Sequence, residues 1–163
     1  MNEQELLVRS QLIPLHNMRM VLPNTAIAEV ISYRKPHPME DMPPWLTGMT
    51  AWRGLHIPLI SLETAAIEQA PESNRRSRII VINTLTGSNQ LPFYGVISQG
   101  IPRLMGLDHS TILDAPNAQE GQKFVLRQVL VEGHPAVIPD LNAIETEMAS
   151  LGVTVTQEQA QVG

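Results

Sequence analysis

The sequence predicts a mostly β protein built as two small barrels, and three observations carry that expectation. Apolar residues fall in short, strand-sized runs broken by Gly, Pro and polar turns. Two of these runs fold about glycine corners, at Gly54 and Gly133, and each hairpin is followed by a polar residue and a helix-forming segment. Ser61-Leu62 thereby stands opposite Asp140-Leu141, so both halves read strand, corner, strand, cap, helix. A chain of 163 residues suffices for one domain, or for two small subdomains sharing a core.

The elements follow in order. "SQLIPLHNMRMVLP" reads as two strands about a polar turn at His16-Asn17, with Pro14 placing the first at an edge where a missing N–H does no harm. In "NTAIAEVI", Asn24 caps a short helical turn that presents Ile27 and leaves Glu29 beside Val30. "YRKPHPMEDMPPWL" holds Pro36, Pro38, Pro43 and Pro44, and Pro both removes donors and turns its predecessor away from helix, so it reads as an extended surface loop. "TGMTAW" and "LHIPLISL" pair across Arg53-Gly54, Gly54 supplying the positive φ that such a turn demands. Ser61 caps a helix over "LETAAIEQA", and "EQAPESNRRS", with Pro71, reads as the internal linker.

In the second half, "RIIVINTL" and "LPFYGVIS" form a strand pair about "TGSNQ", and "GIPRLMGL" a further strand. "DHSTILDAPNAQEGQK" reads as a long loop, and "FVLRQVLVEGHPAVIP" as a hairpin cornered at Glu132-Gly133. "DLNAIETEMA" is a helix capped by Asp140, with Leu141, Ile144 and Met148 on one face. The Gln-rich tail after Ser150 is expected to fray.

Composition narrows the function. Apolar residues make up 43% and aromatics only 4%, so the core must be built from Val, Ile, Leu and Met. A net charge of −5 gives no footprint for nucleic acid or an anionic membrane. The absence of Cys excludes disulfides, thiolate metal sites and Cys nucleophiles, and fits a reducing cytosol. "MNEQELLVRS" is acidic and unlike a secretory signal, and no apolar run approaches the ~20 residues of a membrane span. A cytoplasmic protein with no direct membrane insertion is expected.

Catalytic readings find little support. His16, His37, His56, His109 and His134 are all too far apart for i, i+3 or i, i+4 ligand spacing, so no metal is expected. Ser61 lies five residues from His56, on the opposite face of an extended chain, with no nucleophile elbow around it. Glu40-Asp41, Glu63, Glu68, Glu145 and Glu147 lie in loops or on helix faces and read as solvated charge. The glycines are lone corners rather than a phosphate cradle. The chain therefore reads as no enzyme, with no catalytic residues and no cofactor. What stands out is "AWRGLHIPLISLE", where Leu55, Ile57 and Leu59 alternate with His56, Pro58 and Ile60 as in a core hairpin. That pattern leaves Trp52 and Arg53 at the corner, an aromatic–arginine pairing typical of interface hot spots.

The same stretch, extended to "MPPWLTGMTAWRGLHIPLISLE", resembles the signature of the CheW-like domain, the module that couples chemoreceptors to a histidine kinase in bacterial chemosensory arrays. Pro44, Trp45, Leu46, Gly48, Arg53, Gly54, Ile57, Pro58, Leu59, Ile60 and Leu62 stand in the family's order. Upstream, "RMVLPNTAIAEVI" is similar to another family segment, with Pro23, Ile27, Glu29 and Val30 in register; downstream, "PFYGVISQGIPRLMGL" and "FVLRQVLVEGHPAVIPDLNAI" continue the likeness. It covers residues 11–148 as a single domain, with a first barrel region near 16–70, a second near 78–148, and a flexible tail over 149–163.

The resemblance implies two five-stranded SH3-like barrels with a groove between them and short helices, one of them C-terminal. It also implies a non-catalytic adaptor. One surface would bind the regulatory domain of a CheA-type histidine kinase, itself CheW-like, and the groove would take the cytoplasmic tip of a methyl-accepting chemoreceptor. Glu29, Val30, Gly48 and Arg53, with Gly54 and Trp52 at the same corner, match positions associated with receptor coupling. Gly48 would permit close backbone approach, and Ile27, Val30 and Ile101 would line the groove, with core packing their equal alternative. Two positions depart from the family: Ala51 replaces an Asn and Ser61 an Asp. The Trp-Arg-Gly corner also resembles accessory CheW-like proteins of systems that run type IV pili and twitching motility. Two alternatives remain open: a modulator competing with the main coupling protein without activating kinase, and a small-ligand sensor using the groove. Self-association is also left open, and the acidic charge opposes nucleic acid.

Overall fold

The structure is a computed structural model that describes residues 8–108, 110–116 and 118–157. The acidic N-terminal segment through residue 7, His109 and the last residues of the expected tail lie outside it. In chain order the elements are β1 (Val8–Pro14), β2 (Arg19–Pro23), β3 (Ile27–Ser32), β4 (Leu46–Trp52), β5 (Leu55–Ile60) and α1 (Leu62–Ile67). There follow β6 (Arg78–Asn83), β7 (Phe93–Ser98), β8 (Arg103–Leu107), β9 (Ile112–Asp114), β10 (Val125–Val131), β11 (His134–Pro139), α2 (Leu141–Ser150) and β12 (Thr156–Gln157).

These strands make two curled sheets. The first has the order β8-β1-β2-β11-β10-β9; the second has β12-β5-β7-β6-β3, with β4 also on β5. Each sheet thus holds six strands rather than the expected five. The division along the chain also differs from a first barrel over 16–70 and a second over 78–148. β1 and β2 belong with β8–β11, while β3–β7 form the other sheet with β12. The segment 68–77 is therefore a connection within the second sheet, not a boundary between barrels. Long-range parallel contacts make this arrangement: Met20 opposite Val137 in the first sheet, and Leu59 and Ile60 opposite Gly95 and Val96 in the second. Local hairpin signals carry no information about such pairs.

Strand alternation builds three cores from these two sheets. Leu12, Val21, Leu107, Val129, Val131 and Ala136 fill the first sheet. Trp52, Ile57, Leu59, Ile79, Val81 and Ile97 fill the second. A larger central core, including Ile13, Met20, Leu22, Ile60, Ile80, Ile82, Ile144 and Met148, lies between the sheets and under α2. The run Ile79-Ile80-Val81-Ile82 is apolar throughout because successive side chains enter different cores, and a strand buried on both faces needs no polar alternation. Trp45 meets Phe124 edge to face at 4.8 Å in the central core.

Two of the three expected helix caps are present; the short turn at Asn24–Ala26 instead follows Pro23 with no side-chain cap, and Asn24 Oδ1 accepts from Gln11 Nε2 at 2.8 Å. Ser61 Oγ accepts from the Thr64 N–H at 3.3 Å, and Asp140 Oδ1 from the Ala143 N–H at 3.0 Å. The stretch expected as a long loop holds β9, with Ile112 to Asp114 opposite Val131 to Val129 of β10. Two further expectations need correction. Glu63 and Glu145 are buried, not solvated. Glu63 Oε2 accepts from the His16 N–H and from Gln99 Nε2, and Glu145 accepts from the Leu85 and Thr86 N–H groups. Each carboxylate takes over backbone donors that would otherwise need water, and so clips a loop to its helix. Glu145 also adds to burial in pushing the enclosed Tyr94 hydroxyl far above its usual range, burial being the larger cause. The tail, secondly, does not fray at Ser150. Gly152 (φ 76) ends α2, and Val153 is 3% exposed. The Val155 N–H reaches the Gln90 carbonyl at 2.8 Å, and β12 pairs with β5.

Candidate partner-binding site

The β4–β5 corner is a two-residue turn with both central residues left-handed, Arg53 at φ 47 and Gly54 at φ 75. That is the primed geometry whose twist matches the strands on either side. Glu132 (φ 50) and Gly133 (φ 80) repeat it between β10 and β11. At the first corner the non-glycine residue is held by side-chain contacts. Arg53 Nη2 lies 2.9 Å from Glu29 Oε1, and its guanidinium sits 5.0 Å from the centre of the Trp52 ring. Trp52 Nε1 donates to the same Glu29 oxygen at 3.1 Å.

These contacts cross a seam in the second sheet. β3 and β4 are both outer strands of that sheet, so Glu29 joins two edges that share no ladder of their own. A register shift between Ile27 and Glu29 aims the carboxylate: Ile27 and Val30 stand opposite Ile82 and Ile80 of the central core, whereas Glu29 stands opposite Val81 of the second-sheet core. Further along, the His37 and Met49 backbones exchange two hydrogen bonds of 2.9 Å and shut the seam. Between that bridge and the corner it opens into a depression of about 420 Å³, lined by Glu29, Ile31, Ser32, Arg34, Ala51, Trp52, Arg53 and Gly54. The Arg53 and Glu29 side chains are 67% and 36% exposed, so the pair contributes at most ~1 kcal/mol to the fold and stays open to exchange with a partner.

The structure thus brings Glu29, Trp52, Arg53 and Gly54 together and leaves the other sequence candidates apart. Trp52 is only 7% exposed and packs edge to face on Phe93 at 4.8 Å, so it supports the site from beneath rather than offering its ring to a partner. Gly48 (φ 146) does meet a close backbone, but the chain's own: a Cβ there would stand 2.2 Å from the His37 carbonyl oxygen. Ile27 and Val30 are half-buried against the central core, on the opposite face of β3. Ile101 is 70% exposed in the β7–β8 connection and does not line the depression. Sequence reasoning missed Arg34 and Ser32, whose only signal is a β3 register that places them beside the corner.

The depression offers outward guanidinium donors and a shallow polar floor, with no nucleophile and base in contact. No cluster of three or more His, Asp or Glu able to hold a metal exists among the described residues. None of their helices is long and apolar enough to cross a membrane.

Comparison with known proteins agrees with this architecture. The chain is similar in structure to the scaffolding protein TtCheW from Thermoanaerobacter tengcongensis, with a TM-score of 0.69 over 86% of this chain and 89% of that one. At 18% identity this likeness speaks for the fold alone. No curated protein matches the chain in sequence. The family model for the CheW-like domain matches residues 10–147, nearly the whole chain. The mostly β, two-sheet structure and this match together place the chain in the CheW-like domain family.

Proposed function

We propose that this protein is a cytoplasmic, non-catalytic adaptor that couples chemoreceptor tips to a CheA-type histidine kinase. The observation that carries the reading is the Arg53 corner: a guanidinium held by a left-handed turn, Glu29 and Trp52 at the mouth of an exposed depression. Preorganised donors on a rigid hairpin serve recognition, since little side-chain freedom is lost on binding. A carboxylate or helix-end carbonyl at a receptor tip would take the Arg53 donors that Glu29 leaves free. The kinase's regulatory domain, itself CheW-like, would dock on a separate face. The Trp52-Arg53-Gly54 corner further suggests service in a system controlling type IV pili.

Calorimetric titration of a receptor-tip fragment and of the kinase regulatory domain tests this. Wild type should bind both with affinities on the order of μM. Arg53→Glu should weaken the receptor fragment about tenfold or more and leave the kinase domain unaffected. Equal binding of the receptor fragment by a folded Arg53→Glu protein would remove the corner from the coupling surface.

Ala51 favours one second reading, a modulator that occupies the array without activating kinase. Ser61 fulfils its capping role and no longer counts as a meaningful departure, but Ala51 lines the depression with a single methyl. Kinase autophosphorylation with receptor and wild-type protein separates the two: stimulation supports the coupler, inhibition in competition with another coupling protein the modulator.

A further inference from the structure

The chain carries a net charge of −5, yet four of its cations are gathered without ion-pair partners among the described residues. β3 pairs antiparallel with β6, and the register sets Ser32 opposite Arg78. Two adjacent strand ends therefore open on one side of the molecule. The chain leaving β3 brings Arg34 and Lys35, and the chain entering β6 brings Arg75 and Arg76. All four are exposed, and none forms an ion pair among the described residues. They are four of the protein's 11 Lys and Arg residues.

The turn that presents Arg75 and Arg76 is fixed. The Ser77 N–H donates to the Asn74 carbonyl at 3.0 Å, the Asn74 N–H to Ser77 Oγ at 2.9 Å and the Arg76 N–H to Asn74 Oδ1 at 2.8 Å. Arg78 folds back over it, its Nη1 donating to the Arg75 and Ser77 carbonyls at 2.9 Å each. A fifth positive charge thus braces the turn from behind. Arg34 continues the patch into the depression beside Arg53.

We propose that Arg34, Lys35, Arg75 and Arg76 form a docking patch for an acidic, Asp/Glu-rich segment of a partner protein. Charge complementarity selects this occupant. A short acidic segment lies within a Debye length of the patch, ~8 Å at physiological salt, and meets the local positive field rather than the net negative charge. An anionic bilayer is a poorer match. It would face the whole acidic molecule, and it would need an apolar anchor beside the cations. Of the large exposed apolar side chains, Val8, Leu104, Leu113 and Leu126 lie on first-sheet strands and Leu85 beyond the far end of β6; Ile101 alone follows β7 where Ser98 stands opposite Arg78, and one side chain is no bilayer anchor. The patch goes beyond the adaptor reading; it shares Arg34 with the depression beside Arg53, and its test therefore rests on Lys35, Arg75 and Arg76, which lie outside that depression.

Fluorescence anisotropy of the whole protein with a labelled oligo-glutamate peptide tests the patch, with oligo-glutamine and phosphatidylserine–phosphatidylcholine vesicles alongside. Wild type should bind oligo-glutamate, release it as salt rises, and ignore oligo-glutamine. Arg75→Glu/Arg76→Glu should weaken binding about tenfold or more, consistent with loss of charge pairs that set association. Lys35→Glu, on the β3 side of the patch and outside the hydrogen bonds of the Asn74–Ser77 turn, should weaken it in the same direction even if the double variant fails to fold. Arg9→Glu, an equal charge change on the first sheet, should leave it unchanged. Oligo-glutamate binding no tighter than oligo-glutamine, or equal loss in Arg9→Glu and Lys35→Glu, would overturn the proposal. Vesicle binding without peptide binding would overturn it in favour of lipid.

Discussion

Arg53 shows how one residue can be a liability to the fold and an asset to the site. A non-glycine residue at φ 47 is held against its preference by roughly 1 kcal/mol, and the exposed ion pair with Glu29 returns no more than about that. Arg53→Gly should therefore keep the midpoint of thermal unfolding or raise it by a few degrees, while receptor-tip affinity falls. A calorimetric scan beside a binding titration would show the split; a large loss of stability would mean that the corner holds the barrel together. Gly48 is the reverse case. Gly48→Ala would drive a methyl into the His37 carbonyl at a strained φ, and should cost about 3 kcal/mol in urea unfolding. The corner was legible because an Arg-Gly pair between alternating runs announces its turn. The role of Gly48 was not, because the backbone that crosses it comes from a Pro-rich loop with no pairing signal of its own.

Elements were readable where their information is local and unreadable where it is not. The two cornered hairpins and both helix caps follow from residues within a few positions of one another. The end of the chain shows the opposite. Its Gln-rich composition suggested fraying, yet Val153 and Val155 alternate into the cores and Thr156 and Gln157 add a strand to β5. Two valines were too short a pattern to outweigh the polar residues around them. Truncation after Gly152 should consequently destabilise the protein by about 3 kcal/mol, the scale of burying one to two such side chains. Chemical denaturation of the truncated chain decides this, since a frayed tail would leave the midpoint where it was.

The whole molecule is held as one unit by the way its chain crosses between sheets. β1 and β2 are laid down first, but their sheet is completed only by β8–β11, after β3–β7 have built all of the other sheet except its last strand, β12. No cut within 68–77 yields two complete barrels, and the central core draws on strands from both sheets and on α2. Sequence reasoning saw two repeated halves because each half repeats a hairpin and a helix, and hairpins are what local signals reveal. The parallel pairs that decide which hairpin joins which sheet lie tens of residues apart. Two tryptophans make the consequence measurable. Trp45 reports the central core and Trp52 the second-sheet core, and there are only these 2 in the chain. In the variants Trp52→Phe and Trp45→Phe each remaining indole reports one core alone, and each variant's own stability is fixed by following its circular dichroism in the same samples. Within each variant the indole and the backbone should report one midpoint, as two-state unfolding of a single cooperative unit requires. An indole that lost its signal before the backbone did would show that one sheet can unfold while the other persists, and the interleaved chain would then be two barrels rather than one body.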